Sequence, residues 1–261
     1  MIISTPTWTA VGASVTGVAH KAEGLPCQDR AWVHATRDDV IIAVISDGAG
    51  SAPRATQGAE IVVKTFGKAL LQVDWTRRMT REDYLGVLGH ALVEIEALVW
   101  DAALAQSAVV DAYLATVTGF VVCPNHAVAF QVGDGFVVCR ETGSEFFETV
   151  IPPKQGEYAN STFFATSPGA VGDLQIWLAD NDRPVDFLAA SSDGLASISL
   201  HCRDATPGQD LFTWYERNLC WSHDPAVAFH DLESLLTNSP EINARVTDDK
   251  SLVICKRTQP I

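Results

Sequence analysis

A chain of 261 residues with 47% hydrophobic and 19% charged residues can bury a sizeable core and reads as globular rather than disordered. Its 32 acidic residues against 18 basic ones give a formal net charge of −14, which disfavours non-specific binding to nucleic acid or to an anionic membrane. No apolar run approaches the roughly 20 residues of a membrane span, and the opening Met-Ile-Ile-Ser-Thr-Pro lacks a basic region ahead of an apolar stretch, so a cytoplasmic protein is expected.

In chain order, residues 10–20 and 31–36 are expected to be strands. Arg37-Asp38-Asp39 forms a turn into the nearly all-apolar run from Val40 to Ser46, which fits a strand covered on both faces. Ser51 and Pro53 then suit a helix start, with Val62, Phe66, Ala69 and Val73 at helical spacing. A second helix begins at Thr80, with Asp83 in a capping-box position and an apolar stripe of Leu85, Leu88, Leu92, Ile95, Val99 and Ala102. From Tyr113 to Val150, β-branched and aromatic residues broken at Pro124-Asn125 and Gly133-Asp134-Gly135 predict consecutive antiparallel strands. Further strands are expected at 162–166, 174–179, 185–191 and 251–256, and helix over about 207–237. No repeat, low-complexity tract or long linker divides this order, so residues 1–261 are expected to form a single domain. Strands at both ends with helices between them do not alternate as βαβ units do, which favours an α+β fold of packed antiparallel sheets covered by helices.

The six cysteines, at 27, 123, 139, 202, 220 and 255, show neither Cys-x-x-Cys nor zinc-type spacing. Several lie in apolar runs and read as buried free thiols of a reducing compartment.

Chemistry is suggested by carboxylates placed where apolar strands stop. They occur in Val-Ile-Ser-Asp47-Gly48-Ala-Gly, Val-Gly-Asp134-Gly, Ser-Ser-Asp193-Gly194-Leu and Thr-Asp248-Asp249-Lys-Ser-Leu-Val-Ile. Each alone is an ordinary turn carboxylate. Together they suggest strand ends converging on one acidic pocket, which like-charge repulsion keeps from ionising fully unless cations enter. Divalent metal held by oxygen ligands answers that need.

Those motifs, preceded by His20 and Pro-Cys-Gln28-Asp29 and interleaved with Ala-Thr116-Val-Thr, occur in the order found in the metal-dependent protein phosphatases (the PPM or type 2C Ser/Thr phosphatases), and the chain resembles their bacterial branch from about residue 10 to 256. The resemblance implies a four-layer α/β/β/α sandwich of two antiparallel sheets flanked by helices, with two Mg²⁺ or Mn²⁺ ions where the sheets meet. It implies that Asp47 bridges both metals and the Gly48 carbonyl binds one. Asp193 and Asp248 complete the centre, and Asp134 helps form a third, weaker site. Asp29 orients water, and Asp249 supports the loop. Metal-activated water then hydrolyses phosphoserine or phosphothreonine of a protein substrate, opposing a Ser/Thr kinase, with no covalent enzyme intermediate.

Three departures stand out. Gln28 replaces a common Glu, the phosphate-gripping Arg is absent, and Gly135 replaces a common Ser. His20 is the expected phosphate-binding substitute, with Lys21 as its rival. The altered grip motivates an alternative from another class, a catalytically weak phosphoprotein-binding module on the same fold. A hydrolase of small phosphate esters is a third reading. Substrate selection is expected from a flap over about 143–172, because variable loops commonly carry it.

Overall fold

The computed structural model describes residues 1–77, 79–124, 126–154, 162–179, 183–219 and 225–258, without the side chains of 225 and 226. The strands are β1 (Ile2–Ser4), β2 (Trp8–Val15), β3 (Arg30–Ala35), β4 (Ile41–Ser46), β5 (Val117–Val122), β6 (Ala127–Val132), β7 (Phe136–Glu141), β8 (Phe147–Ile151), β9 (Gln175–Ala179), β10 (Val185–Ser191) and β11 (Lys250–Arg257). The helices are α1 (Val18–Glu23), α2 (Ala55–Leu71), α3 (Arg81–Ala105), α4 (Ala196–Ser199), α5 (Gln209–Asn218), α6 (Pro225–Asn238) and α7 (Pro240–Asn243). One sheet runs β1-β2-β11-β10-β7-β8 and the other β3-β4-β5-β6-β9, and the paired strands are antiparallel throughout.

Strand alternation generates the layers. In β4, Ile41, Ala43 and Ile45 face a core shared with Val253 and Cys255 of β11, which lies between the sheets. Ile42 and Val44 point the other way, into a core with Phe66 of α2 and Leu88, Leu92, Ile95 and Val99 of α3. Leu252 and Ile254 of β11 turn outward onto Phe212 and Tyr215 of α5 and Leu232 and Leu236 of α6. Both faces of both sheets are therefore buried, which is why the central strands are almost continuously apolar. The result is the expected α+β sandwich of two antiparallel sheets flanked by helices.

Several local expectations change. Strand β2 stops at Val15, and residues 18–20 of the expected 10–20 strand belong to helix α1, which closes at Gly24 in the left-handed conformation with φ 70°. The break falls at Gly17, where a Cβ would lie 2.2 Å from the Asp248 carbonyl carbon, so the chain turns against the loop leading into β11. Helix α2 starts at Ala55 without a side-chain cap from Ser51 or Pro53. The capping box of Thr80 and Asp83 is present, but Tyr84 is buried on α3 where Leu85 was expected, and Leu85 is exposed.

Residues 133–135 do not make a hairpin, because β6 and β7 belong to different sheets and the segment crosses between them. Gly133, at φ 136°, permits that corner, where a Cβ would meet Thr116 at 2.7 Å. The expected strand at 162–166 does not form, and residues 165–166 are a turn tied to the 115 region. Ala165 N donates to Ala115 O, and Thr166 Oγ1 accepts from Ala115 N. The late helical region divides into α5 and α6. Cys27, Cys123, Cys139, Cys202 and Cys255 are free thiols, but Cys202 is exposed rather than buried. Asn125, Cys220 and residues 155–161 of the expected flap lie outside the described residues.

Candidate metal centre

Register brings the carboxylates together. Arg30 pairs with Ser46, so Asp29 just before β3 and Asp47 just after β4 flank the same sheet end. In the other sheet Ser191 pairs with both Phe136 and Leu252, which sets Asp193, Asp134 and the Asp248-Asp249 pair around one corner. The two sheet ends meet there, and Asp47 lies within hydrogen-bonding reach of both Asp29 and Asp193.

Asp29 is 1% exposed, and its Oδ2 accepts a 2.9 Å hydrogen bond from Ser192 Oγ. Its Oδ1 is buried without a donor among the described residues. Loss of water pushes the Asp29 carboxyl up to about 7. Burial, and then the charges of Asp29 and Asp193, raise Asp47 well above the ordinary carboxylate range. Although Asp193 as a residue is exposed, neighbouring atoms crowd its carboxyl, so withdrawal from water comes first, the charges of Asp134 and Asp248 add to it, and the carboxyl rises to about 6. Asp134 is raised by burial, partly offset by a 2.6 Å hydrogen bond from Thr162 Oγ1.

Counter-charge does not come from the neighbouring cation. Arg30 spends its guanidinium on the carbonyls of Cys27 and Asp29 at 2.8 Å and on Glu60 at 3.2 Å. Three carboxyls in hydrogen-bonding succession need either protons between their oxygens or cations in their place. The donor set is all oxygen, as hard divalent ions require. Gly48 fits the same purpose, since it forms an antiparallel bridge with Ala115 while the flanking residues supply the bonds, Thr116 N to Asp47 O and Ala49 N to Leu114 O. In such a pair the bridged residue's own carbonyl points away from the partner strand. Its lack of a side chain is also required, because a Cβ would approach Ala55 to 2.8 Å.

Asp248 and Asp249 differ sharply. Asp248 is exposed, and Asp249 is 3% exposed with both oxygens engaged. Gly17 N donates to Asp249 Oδ1 at 2.7 Å and Gln28 N to Oδ2 at 2.5 Å. His20, on α1, sets Nδ1 3.0 Å from Asp249 Oδ1, and ligand atoms of His20, Asp248 and Asp249 lie within 4.8 Å of one another. Lys21 is exposed. Gly135 tolerates no larger residue here, since a Cβ would lie 2.3 Å from Thr118 Oγ1.

Sequence reading missed the hydroxyls that brace the site. Ser192 Oγ donates to Asp29 and accepts from Ser251 N, Ser191 Oγ donates to Ser251 O, and Thr116 Oγ1 accepts from Asp47 N. Their signal was present: consecutive serines follow the apolar run Phe-Leu-Ala-Ala immediately before Asp193.

A helix–sheet–sheet–helix sandwich with this carboxylate cluster defines a metal-dependent phosphatase. The protein phosphatase 2C family model matches residues 16–236, and the chain belongs to that family. Serine/threonine-protein phosphatase 3 of Escherichia coli (strain K12) is 27% identical over 253 residues, covering 95% of this chain and 97% of that protein. The serine/threonine phosphatase of S. agalactiae superposes with a TM-score of 0.68 at 11% identity, covering 95% of this chain and 99% of that one. RsbX, solved in complex with magnesium, superposes at 0.60 and 10% identity over 99% of both chains. At such identities these structures establish the fold alone. Family membership makes the chain a protein phosphatase, and divalent-metal dependence goes with it. Among the described residues, no helix is long and apolar enough to cross a membrane.

Proposed function

We propose that this protein is a Ser/Thr protein phosphatase that hydrolyses phosphoserine or phosphothreonine in a protein partner, opposing a Ser/Thr kinase. The observation that carries the reading is the cluster of Asp29, Asp47 and Asp193, whose carboxyls are all raised by withdrawal from water and have no basic partner among the described residues. Asp47, the Gly48 carbonyl, Asp193 and Asp248 would hold two Mg²⁺ or Mn²⁺ ions, with Asp134 contributing to a third. When bound, such ions neutralise the cluster, lower the pKa of water and draw charge from the phosphoryl oxygens.

The chain's own residues do the remaining work. Asp29, fixed through Oδ2 by Ser192, presents Oδ1 as an acceptor that orients water and takes its proton. Asp249 ties the Gly17 and Gln28 backbones to the start of β11, which holds the α1 segment beside the cluster. With Nδ1 turned to Asp249, the Nε2 of His20 is left to face a phosphoryl oxygen, to which the doubly protonated ring would donate in the role of the absent arginine. Phosphoryl transfer asks chiefly for positioning and charge stabilisation, and this arrangement needs no nucleophilic side chain. A single domain acting in the cytoplasm fits the free thiols.

The test is hydrolysis of para-nitrophenyl phosphate with Mn²⁺, Mg²⁺ or chelator, beside Asp47→Asn and Asp193→Asn. Metal-dependent turnover falling about a hundredfold or more in both variants is expected, the scale of losing transition-state charge stabilisation. Wild type no faster than the variants under every metal would overturn catalysis in favour of a phosphoprotein-binding module.

A further inference from the structure

Beside the acidic cluster lies a cavity of about 550 Å³ lined by Asp134 and Asp193 and by the loop from Leu200 to Ala205. Pro153, Ala196 and Ser197 complete it. This wall is built rather than loose. Leu200 bridges Pro207, His201 N donates to Thr206 O at 2.8 Å, and Thr149 Oγ1 of β8 clamps Ala205 O at 2.6 Å. Ala205 is held at φ 53°, a left-handed conformation that a non-glycine residue keeps only when its surroundings impose it.

The lining carries both signs of charge. Asp134 and Asp193 bring carboxylates from the cluster, whereas Arg203 is exposed and makes no ion pair among the described residues, with His201 two residues away. The only acid in the loop, Asp204, is turned onto its own backbone, where Thr206 N and Oγ1 donate to Oδ1 at 3.1 and 2.8 Å. An anionic substrate approaching a protein of net charge −14 meets a cation here immediately beyond the reacting centre. We infer that this cavity is a substrate-specificity subsite: it takes the residues flanking the phosphorylated Ser or Thr, and Arg203 selects an acidic side chain among them. The inference rests on the phosphatase reading above. A volume of this size is roughly 8 Å across, about two to three residues of extended chain, so the selected acid lies within three positions of the phosphorylated residue.

The experiment uses the full chain with Mn²⁺ and phosphothreonine peptides that differ only in Glu, Ala or Lys at each of the three positions on either side. Expected for wild type is a kcat/KM ratio of about fivefold for Glu over Lys at one or two positions, the upper range for a solvent-exposed ion pair, carried by KM because the contact forms equally in ground and transition states. Arg203→Glu inverts that ratio. Arg37→Glu, which changes net charge equally in the β3–β4 turn at the opposite strand end, leaves the ratio as in wild type. Equal turnover of Glu and Lys peptides, or an Arg203→Glu ratio identical to wild type, overturns the subsite. If no peptide is turned over with any metal, the phosphatase reading fails instead. Fluorescence anisotropy of the same labelled peptides then decides the subsite separately, by the same Glu-over-Lys preference in binding or its absence.

Discussion

Asp248 and Asp249 are adjacent in sequence and opposite in environment. Asp249 is sunk into the protein with two backbone N–H groups on its oxygens, whereas Asp248 projects from the same turn into solvent beside the cluster. Truncating Asp249 strands the Gly17 and Gln28 amides, and buried donors left unmade cost about 1–3 kcal/mol each. Asp249→Ala is therefore expected to lower the unfolding free energy by at least about 2 kcal/mol in urea denaturation, with Asp249→Asn losing less because it keeps one acceptor oxygen. Asp248→Ala should leave the denaturation midpoint of metal-free protein nearly unchanged and weaken divalent-ion binding in calorimetric titration. A reversed pattern, with Asp248 carrying stability and Asp249 carrying metal affinity, would undo the assignment of ligand and organiser. The asymmetry was half legible in the sequence. The Asp-Asp pair announced a site, but which member faces inward depends on Gly17, whose missing side chain admits the Asp248 backbone from more than two hundred residues away.

At the scale of elements, local signals were the readable ones. The cap of α3 is a reciprocal pair, Asp83 N donating to Thr80 Oγ1 at 3.2 Å and Thr80 N to Asp83 Oδ2 at 2.9 Å. Thr80→Ala should cost about 1 kcal/mol, lowering Tm by about 2–4 °C by calorimetry while leaving phosphatase activity intact, because the cap lies on an outer helix. A Tm shift within error would mean that packing alone sets this helix start. The buried face was legible to within a residue. Tyr84 displaces Leu85 inward because its hydroxyl reaches His126 at 2.7 Å on the sheet beneath. Strand positions were legible from apolar runs, but sheet membership was not. When both faces of a strand are buried, β6 and β7 look alike in sequence, and only pairing across long separations assigns them to different sheets. That same ambiguity hid the corner that carries Asp134, which read as a break between consecutive antiparallel strands. Helix α1 was hidden for a different reason. It is six residues long with no buried residue, so it has no amphipathic stripe to betray it.

For the molecule as a whole, the site is a concentration of repulsion that the rest of the fold must contain. Three elevated carboxyls lie at one end of both sheets, Asp29 at about 7, Asp193 at about 6 and Asp47 raised as well. In the unfolded chain each returns to about 4. Between those limits the metal-free folded state binds more protons than the unfolded state, so the slope of stability with pH is negative there. The contribution is fully present below about pH 4 and is lost as pH rises through 6 to 7. Carboxylates held low by partners, such as Glu216 beside Arg140 and Lys256, act oppositely but titrate below the ordinary carboxylate range. In the window from 5 to 8 the N-terminal ammonium, which burial lowers to about 6, opposes the cluster as one group against three carboxyls. Chelated protein should therefore melt at a higher temperature at pH 5.5 than at pH 7.5. Divalent metal should reverse the order, because it binds the deprotonated carboxylates and takes over the role of the protons. At a hundredfold excess over its dissociation constant it adds about 2.7 kcal/mol, a rise of roughly 5–10 °C for a chain of this size. Scanning calorimetry of chelated and Mn²⁺-loaded protein at pH 5.5, 6.5 and 7.5 measures both slopes. A chelated protein that grows more stable toward pH 7.5 would mean that the carboxyls find counter-charge within the protein, and the case for metal as the missing partner would fall with it.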